Sequence, residues 1–266
     1  MIETVNNTWL RRNLTITSVA LLKRFRPRSR SGRILFLNSK LCVKYGTTVH
    51  SSEARAMQLV AENTSVLLPK VYCSFQRKGI TFIVMERIHG ISIGRNWDSR
   101  TAESKADLLS QLRQYFIELR AIPHPIPGMV AAADLAKLYD YRISSELFGP
   151  FSSSREFHAF LRDNITVSNN TPDEVKQLIQ MQEENRYPVC FSHGDPSSSN
   201  FLVVGNKVAM IDFEFSGFMP SYWDYVAGMN ANPYDDFWKA EIGKFLDPYP
   251  KELEMEGLRR KFFGSF

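Results

Sequence analysis

Hydrophobic spacing divides this chain into a small strand-rich part and a larger helical part. Residues 9–22 carry apolar side chains at helical intervals. That pattern stops at the Arg-Pro-Arg-Ser-Arg-Ser-Gly run of 26–32, where Pro27 and Gly32 impose irregular backbone. Four short runs rich in β-branched and apolar residues follow, at 34–37, 41–45, 70–75 and 81–86, and turn residues such as Asn38-Ser39 and Lys78-Gly79 separate them. They predict an antiparallel sheet. One helix interrupts it, with Ser51 or Ser52 as the expected cap and Glu53, Met57 and Val60 on one face. Beyond Gly90 the period turns helical. Leu108, Leu112, Tyr115, Phe116 and Leu119 recur at helical spacing until Pro123 and Pro125 close the segment. The stretch 122–172 is rich in Pro, Gly and Ser and gives no firm pattern. Short strands are expected at 188–192, 201–204 and 207–212, and helices over most of 222–263. The fold class expected is α+β with two lobes: a helix and basic linker at 1–30, an antiparallel-sheet lobe at 31–88, and a larger helical lobe at 89–266, with a cleft between the lobes.

Composition narrows the function classes. The chain has 266 residues, 44% of them hydrophobic, enough for a sizeable core and incompatible with a disordered or collagen-like protein. Cys42, Cys73 and Cys190 lie far apart with no CxxC pair, which excludes a disulfide scaffold and a cysteine-based zinc ribbon. With neither a long apolar run nor a secretory pattern, the expectation is a cytoplasmic protein without a membrane span. The net charge of +5 is concentrated: Lys23, Arg24, Arg26, Arg28, Arg30 and Arg33 carry six positive charges without an intervening acid, leaving the rest near −1. A single aromatic, Phe25, accompanies them, so the run reads as a solvated basic linker rather than a nucleic-acid or acidic-membrane contact.

The chemistry is gathered in Phe191-Ser-His-Gly-Asp-Pro-Ser-Ser-Ser-Asn and Val208-Ala-Met-Ile-Asp-Phe-Glu. Asp195 and Asn200 are five apart. A strand pair turning at Gly205-Asn206 would return Asp212 to the neighbourhood of Asn200. One carboxylate and one amide oxygen suit a hard cation such as Mg²⁺, and Asp195 is left to face a hydroxyl nucleophile.

His-x-Asp, four residues, Asn and then a strand-borne Asp resembles the catalytic arrangement of kinase-fold phosphotransferases. The His-Gly-Asp form with Ile211-Asp212-Phe213-Glu214 is similar to the aminoglycoside phosphotransferase and choline kinase branch. Val43-Lys44, Glu53-Ala-Arg-Ala-Met57 and the hinge-like Ile83 to Gly90 agree with it, and Phe213 to Val226 resembles a fungal-type subgroup. The resemblance implies ATP and Mg²⁺ as cofactors and a small-molecule hydroxyl as acceptor. It implies that Lys44 holds the α- and β-phosphates and Glu53 aims Lys44. Backbone groups of Glu86 and Ile88 would meet adenine, Asn200 and Asp212 would bind Mg²⁺, and Asp195 would orient the acceptor hydroxyl. His193 is implied as a brace and Asp224 as the tie for the catalytic loop, while Glu214 is either a supporting or a solvent-facing acid.

Two departures stand out. The expected phosphate loop at 31–40 holds only Gly32, and Pro196 follows Asp195 where the family usually has Leu. They motivate the alternative of a catalytically silent nucleotide- or partner-binding protein. Nine residues separate Asp212 from Tyr222, too few for a protein kinase's activation segment, which favours a small acceptor. Phe215, Tyr222, Trp223, Tyr234, Asp235, Asp236 and Trp238 are the expected acceptor wall, although Asp235 and Asp236 also suit a helix start.

Overall fold

In the computed structural model, residues 4–25, 33–230 and 236–264 are described. Thr8 opens the first helix, α1 (Trp9–Leu22), by accepting a hydrogen bond from the Arg11 N–H at 3.3 Å. The sheet that follows is built from β1 (Ile34–Phe36), β2 (Leu41–Gly46), β3 (Val71–Arg77) and β4 (Ile80–Glu86), antiparallel throughout in the order β1-β2-β4-β3. Strand alternation gives it two working faces. Leu35, Val43, Cys73, Phe75, Phe82 and Val84 meet Val19 of α1 on one face. Lys44 is paired in register with Ile83, and Cys42 with Met85, on the other.

That second face receives α2 (Ser51–Asn63), whose Ala54, Ala56, Met57 and Val60 are buried. Neither Ser51 nor Ser52 caps this helix. Both lie inside its first turn, and His50 occupies the cap position without a side-chain bond. The His50 ring packs instead on Tyr139, centroids 4.3 Å apart.

The larger lobe begins with β5 (Ile91–Ser92) and α3 (Ala102–Ala121), whose predicted apolar face, Leu108 to Leu119, is buried. Then come α4 (Ser154–Leu161), α5 (Asp173–Glu184), β6 (Val189–Ser192), β7 (Phe201–Val204), β8 (Lys207–Met210), β9 (Gly217–Pro220), α6 (Trp223–Asn230), α7 (Asp236–Phe245) and α8 (Pro250–Phe263). Helix α4 and the bridges Val130↔Phe151 and Leu138↔Phe148 lie in the stretch the sequence left unread. These isolated bridges are set by partners far along the chain and leave no periodic trace in it. Strands β5-β7-β8 form one small sheet and β6-β9 a second. Phe116, Phe201, Trp238 and Phe245 pack edge and face beneath them.

The predicted strand at 207–212 is shorter than expected. It ends at Met210, and Asp212 takes a left-handed backbone with φ of 64°. A short polar side chain tolerates that conformation, which ends the extended run and re-aims the carboxylate.

Candidate active site

The loop from His193 to Asn200 is held from every side. Gly194 has φ of 82°, and a Cβ there would collide with the Phe215 carbonyl oxygen, so only glycine fits between His193 and Asp195. The Gly194 N–H donates to Asp224 Oδ1 at 2.8 Å. Burial raises the pKa of this carboxyl, with the Gly194 N–H and Arg120 opposing the shift. Arg142 donates to the Gly194 carbonyl and to Asp140, both at 2.6 Å. His193, fully buried, accepts the Asp195 N–H on Nδ1 at 3.3 Å, so Nε2 carries the proton and donates to the Ile211 carbonyl at 3.1 Å. Both ring nitrogens are committed, which leaves His193 as a brace.

Asp195 itself is clamped. Ser197 donates its hydroxyl to Oδ1, and Asn200 Nδ2 donates to Oδ2 at 2.9 Å and to the Asp195 carbonyl at 3.0 Å. The amide oxygen of Asn200 is therefore the end not engaged with Asp195. The Ile211 N–H donates to the Asn200 carbonyl at 2.9 Å, bringing Asn200 into the ladder beside Asp212. Pro196 costs this loop little: its carbonyl, not the missing N–H, is what the loop uses, accepting from Trp238 Nε1 at 2.9 Å.

Lys44 collects three carboxylates. Its Nζ lies 2.6 Å from Asp212 Oδ1, 2.8 Å from Glu53 Oε1 and 3.3 Å from Glu214 Oε2. Burial alone would discharge this lysine, but Glu53, Asp212 and Glu214 outweigh it and raise its pKa. Burial pushes Glu53 up to about 7 against the pull of Lys44, and its Oε2 has no hydrogen-bond partner among the described residues. Burial also acts to raise Asp212, but Lys44, with Arg33 and His193 adding, holds it below the ordinary carboxylate value. Arg33 closes the cluster with a two-pronged contact on Glu214, at 2.6 and 3.2 Å.

The three acids place carboxylate oxygens within 4.8 Å of one another, a spacing that fits a cation. Asp212 is one-third accessible and Glu53 only 2%, and both border the cleft. Beside them lies a cavity of about 270 Å³, walled by Ile34, Met57, Met85, Ile88, Leu202 and Ile211 and bordered by Glu86. Glu86 donates its N–H to the Lys70 carbonyl at 2.9 Å, whereas the Ile88 N–H has no backbone partner among the described residues.

Residues 48–256 match the model of the phosphotransferase enzyme family, more than three-quarters of the chain. The chain belongs to that family. No curated protein matches it in sequence. Among solved structures, the apo form of a thermostable mutant of aminoglycoside phosphotransferase APH(4)-Ia aligns with a TM-score of 0.58 at 12% identity, covering 86% of this chain and 78% of that one. ADP-bound aminoglycoside phosphotransferase APH(2'')-Ib aligns with a TM-score of 0.52 at 20% identity, covering 91% and 84%. These likenesses establish a two-lobed, kinase-like phosphotransferase fold.

The site departs from the expected set at its acceptor side. Tyr222, Trp223 and Trp238 are buried and belong to the core, because aromatic rings of that size fill the space under the catalytic loop. Asp236 begins α7 and pairs with Lys239 at 2.7 Å, the helix-start role. Tyr234 and Asp235 lie outside the described residues, as do Arg26, Arg28, Arg30 and Gly32. Phe215 is buried as well, at 5% exposure, with Tyr139, Tyr141 and the Arg142 guanidinium around its ring. Tyr141 remains 58% exposed; burial raises its pKa against Arg142, with Asp195 adding to the rise. The sequence reading missed Tyr141, Arg142 and Arg33. The first two sit in the unread stretch, and a lone arginine in a basic run carries no signal of its acidic partner.

Proposed function

We propose that this protein transfers the γ-phosphate of ATP, with Mg²⁺, to a hydroxyl of a small molecule. The observation that carries the reading is the clamped Asp195, aligned by Ser197 and by Asn200, whose carbonyl is bonded to Ile211, the neighbour of the Asp212 that pairs with Lys44. Structural neighbours offer support: one is described in a ternary complex with ADP and hygromycin B, another with streptomycin and ATP. In the same reading, residues 31–88 form the nucleotide-side lobe and 89–266 the acceptor-side lobe.

The apolar cavity accepts adenine, with the Ile88 N–H and the Glu86 carbonyl as its polar edge. Lys44, held by Glu53, meets the α- and β-phosphates. Asn200 and Asp212 hold the metal, with Glu214 able to join once Lys44 and Arg33 turn toward phosphate. Bound Mg²⁺ supplies charge neutralisation as the γ-phosphoryl leaves. Asp195 accepts a hydrogen bond from the acceptor hydroxyl. As the new O–P bond forms and the bond to the β-phosphate oxygen breaks, Asp195 takes the hydroxyl proton and ADP departs. A carboxylate is a weak base, so alignment contributes more than proton abstraction. Tyr141 offers an open aromatic face for the acceptor. The decisive experiment is phosphate transfer from Mg·ATP across a panel of hydroxylated metabolites and amino sugars. Wild type should phosphorylate an acceptor and Asp195→Ala should not; equal transfer by both would sink the proposal.

A further inference from the structure

The chain from Arg33 to Tyr45 holds no glycine, and the turn between β1 and β2 commits its amides internally. The N–H groups of Leu37 and Asn38 both donate to the Leu41 carbonyl, at 2.9 and 3.2 Å, and those of Lys40 and Leu41 both donate to Asn38 Oδ1, at 2.7 and 2.9 Å. The turn also stands at the wrong end of the sheet to cover phosphate. The Arg87 N–H donates to the Lys40 carbonyl at 2.8 Å, which puts the turn beside Glu86 and Ile88. Strand register then orders the cleft. Cys42 pairs with Phe36 and Met85, Lys44 pairs with Ile34, and the Tyr45 N–H donates to the Arg33 carbonyl at 2.8 Å. A nucleotide whose adenine lies at Glu86 and Ile88 therefore meets Lys44 first and Arg33 one residue further from the base. The Arg33 guanidinium reaches that end of the cleft already, gripping Glu214 at 2.6 and 3.2 Å and sharing Glu214 Oε2 with Lys44. Two cations of different shape stand side by side: a buried ammonium, and a fork that is 29% accessible.

We propose that Arg33 grips the terminal phosphate of the nucleotide, so that the site distinguishes a triphosphate from a diphosphate. The inference rests on the phosphotransferase reading and deepens it: Lys44 serves the α- and β-phosphates, and Arg33 gives the γ-phosphate a partner of its own. A planar guanidinium matches two phosphate oxygens as it matches the two oxygens of Glu214. The exchange needs only the rotation of a part-exposed side chain, with no movement of the sheet. Glu214 thus holds the fork in place while the cleft is empty and gives it up when a triphosphate enters. A nucleoside diphosphate ends short of Arg33, leaves the Arg33–Glu214 pair intact and is held by Lys44 alone.

Calorimetric titration of the full chain with Mg²⁺ tests it, using ADP and AMP-PNP, a triphosphate analogue that does not transfer its terminal group. Wild type should bind AMP-PNP about tenfold more tightly than ADP, the value of one charge-assisted contact. Arg33→Ala should remove that margin, weakening AMP-PNP about tenfold while ADP stays within about twofold. Arg33→Lys keeps a cation against Glu214 and so preserves the folded cluster if the alanine variant does not. It should still weaken AMP-PNP severalfold and spare ADP, because an ammonium is a point charge and not a fork. Equal weakening of both ligands would make Arg33 a general strut of the cleft, and unchanged AMP-PNP affinity would leave it idle; either result overturns the proposal. The outcomes also separate the two readings. Wild type that binds neither nucleotide sinks the phosphotransferase reading and this inference with it, whereas tight AMP-PNP binding that ignores Arg33 sinks the inference alone.

Discussion

Lys44 shares its one ammonium among three acids, and that count governs what single substitutions do. Removing it leaves Glu53, Asp212 and Glu214 facing one another, with Arg33 still paired to Glu214. Stripping one partner from a buried ion cluster costs about 3–5 kcal/mol, so Lys44→Ala should lose that much stability in urea unfolding. Asp212→Asn removes a competing charge and should cost far less in the same measurement while abolishing phosphate transfer. The pairing of Lys44 with Glu53 was legible because a strand lysine and a helix acid at that spacing resemble a known pattern. Glu214 was not. Its charge reads equally as solvent-facing until the fold sets Arg33, 181 positions away, against it.

At the scale of elements, the loop that carries Asp195 depends on α7. Trp238 reaches from that helix to the Pro196 carbonyl, and Trp238→Phe keeps the ring packing while orphaning a buried acceptor. About 1–3 kcal/mol of stability should be lost, and kcat should fall more than the acceptor KM, because the loop that aims Asp195 slackens. His158 ties α4 to α5 and to the turn before α6. Its Nδ1–H donates to the Gln182 carbonyl at 3.2 Å, and its Nε2 accepts the Tyr222 hydroxyl at 2.8 Å. Burial, with Arg162 adding, lowers its pKa to about 4, and the Gln182 carbonyl only partly opposes this. The unfolded chain therefore takes up a proton at higher pH than the native protein. The stability His158 contributes is present above about pH 6.5 and is lost as pH falls toward about 4. Near pH 5 the loss should be about 2 kcal/mol, and His158→Gln should flatten it in unfolding midpoints compared between about pH 5 and pH 7.5. Helices with a strong period, such as α1 and α3, were readable from spacing alone. Asp212 was misplaced in a strand because a left-handed residue leaves the apolar alternation of Val208 to Met210 undisturbed.

For the whole molecule, any nucleotide and metal that bind only the folded state should favour it in proportion to their occupancy. At about a hundredfold excess over Kd the gain is about 2.7 kcal/mol, which should raise the melting temperature by about 5 °C or more. The rise should be present with Mg·ATP in wild type and absent in Asp212→Ala; a flat response in wild type would favour the silent reading. Among the described residues no helix is long and apolar enough to cross a membrane, in line with the hydropathy of the chain. By itself the sequence determined α1, α2, α3, the four-stranded sheet and the two-lobe order, and singled out Asp195, Asn200 and Asp212, because periodicity and short motif spacings are local properties. Only the tertiary structure decided that Tyr222, Trp223 and Trp238 are core while Tyr141 is open, that Pro196 is supported, and that Lys44 serves three acids. Burial and long-range ion pairing depend on which distant segments meet, and no residue carries that information alone.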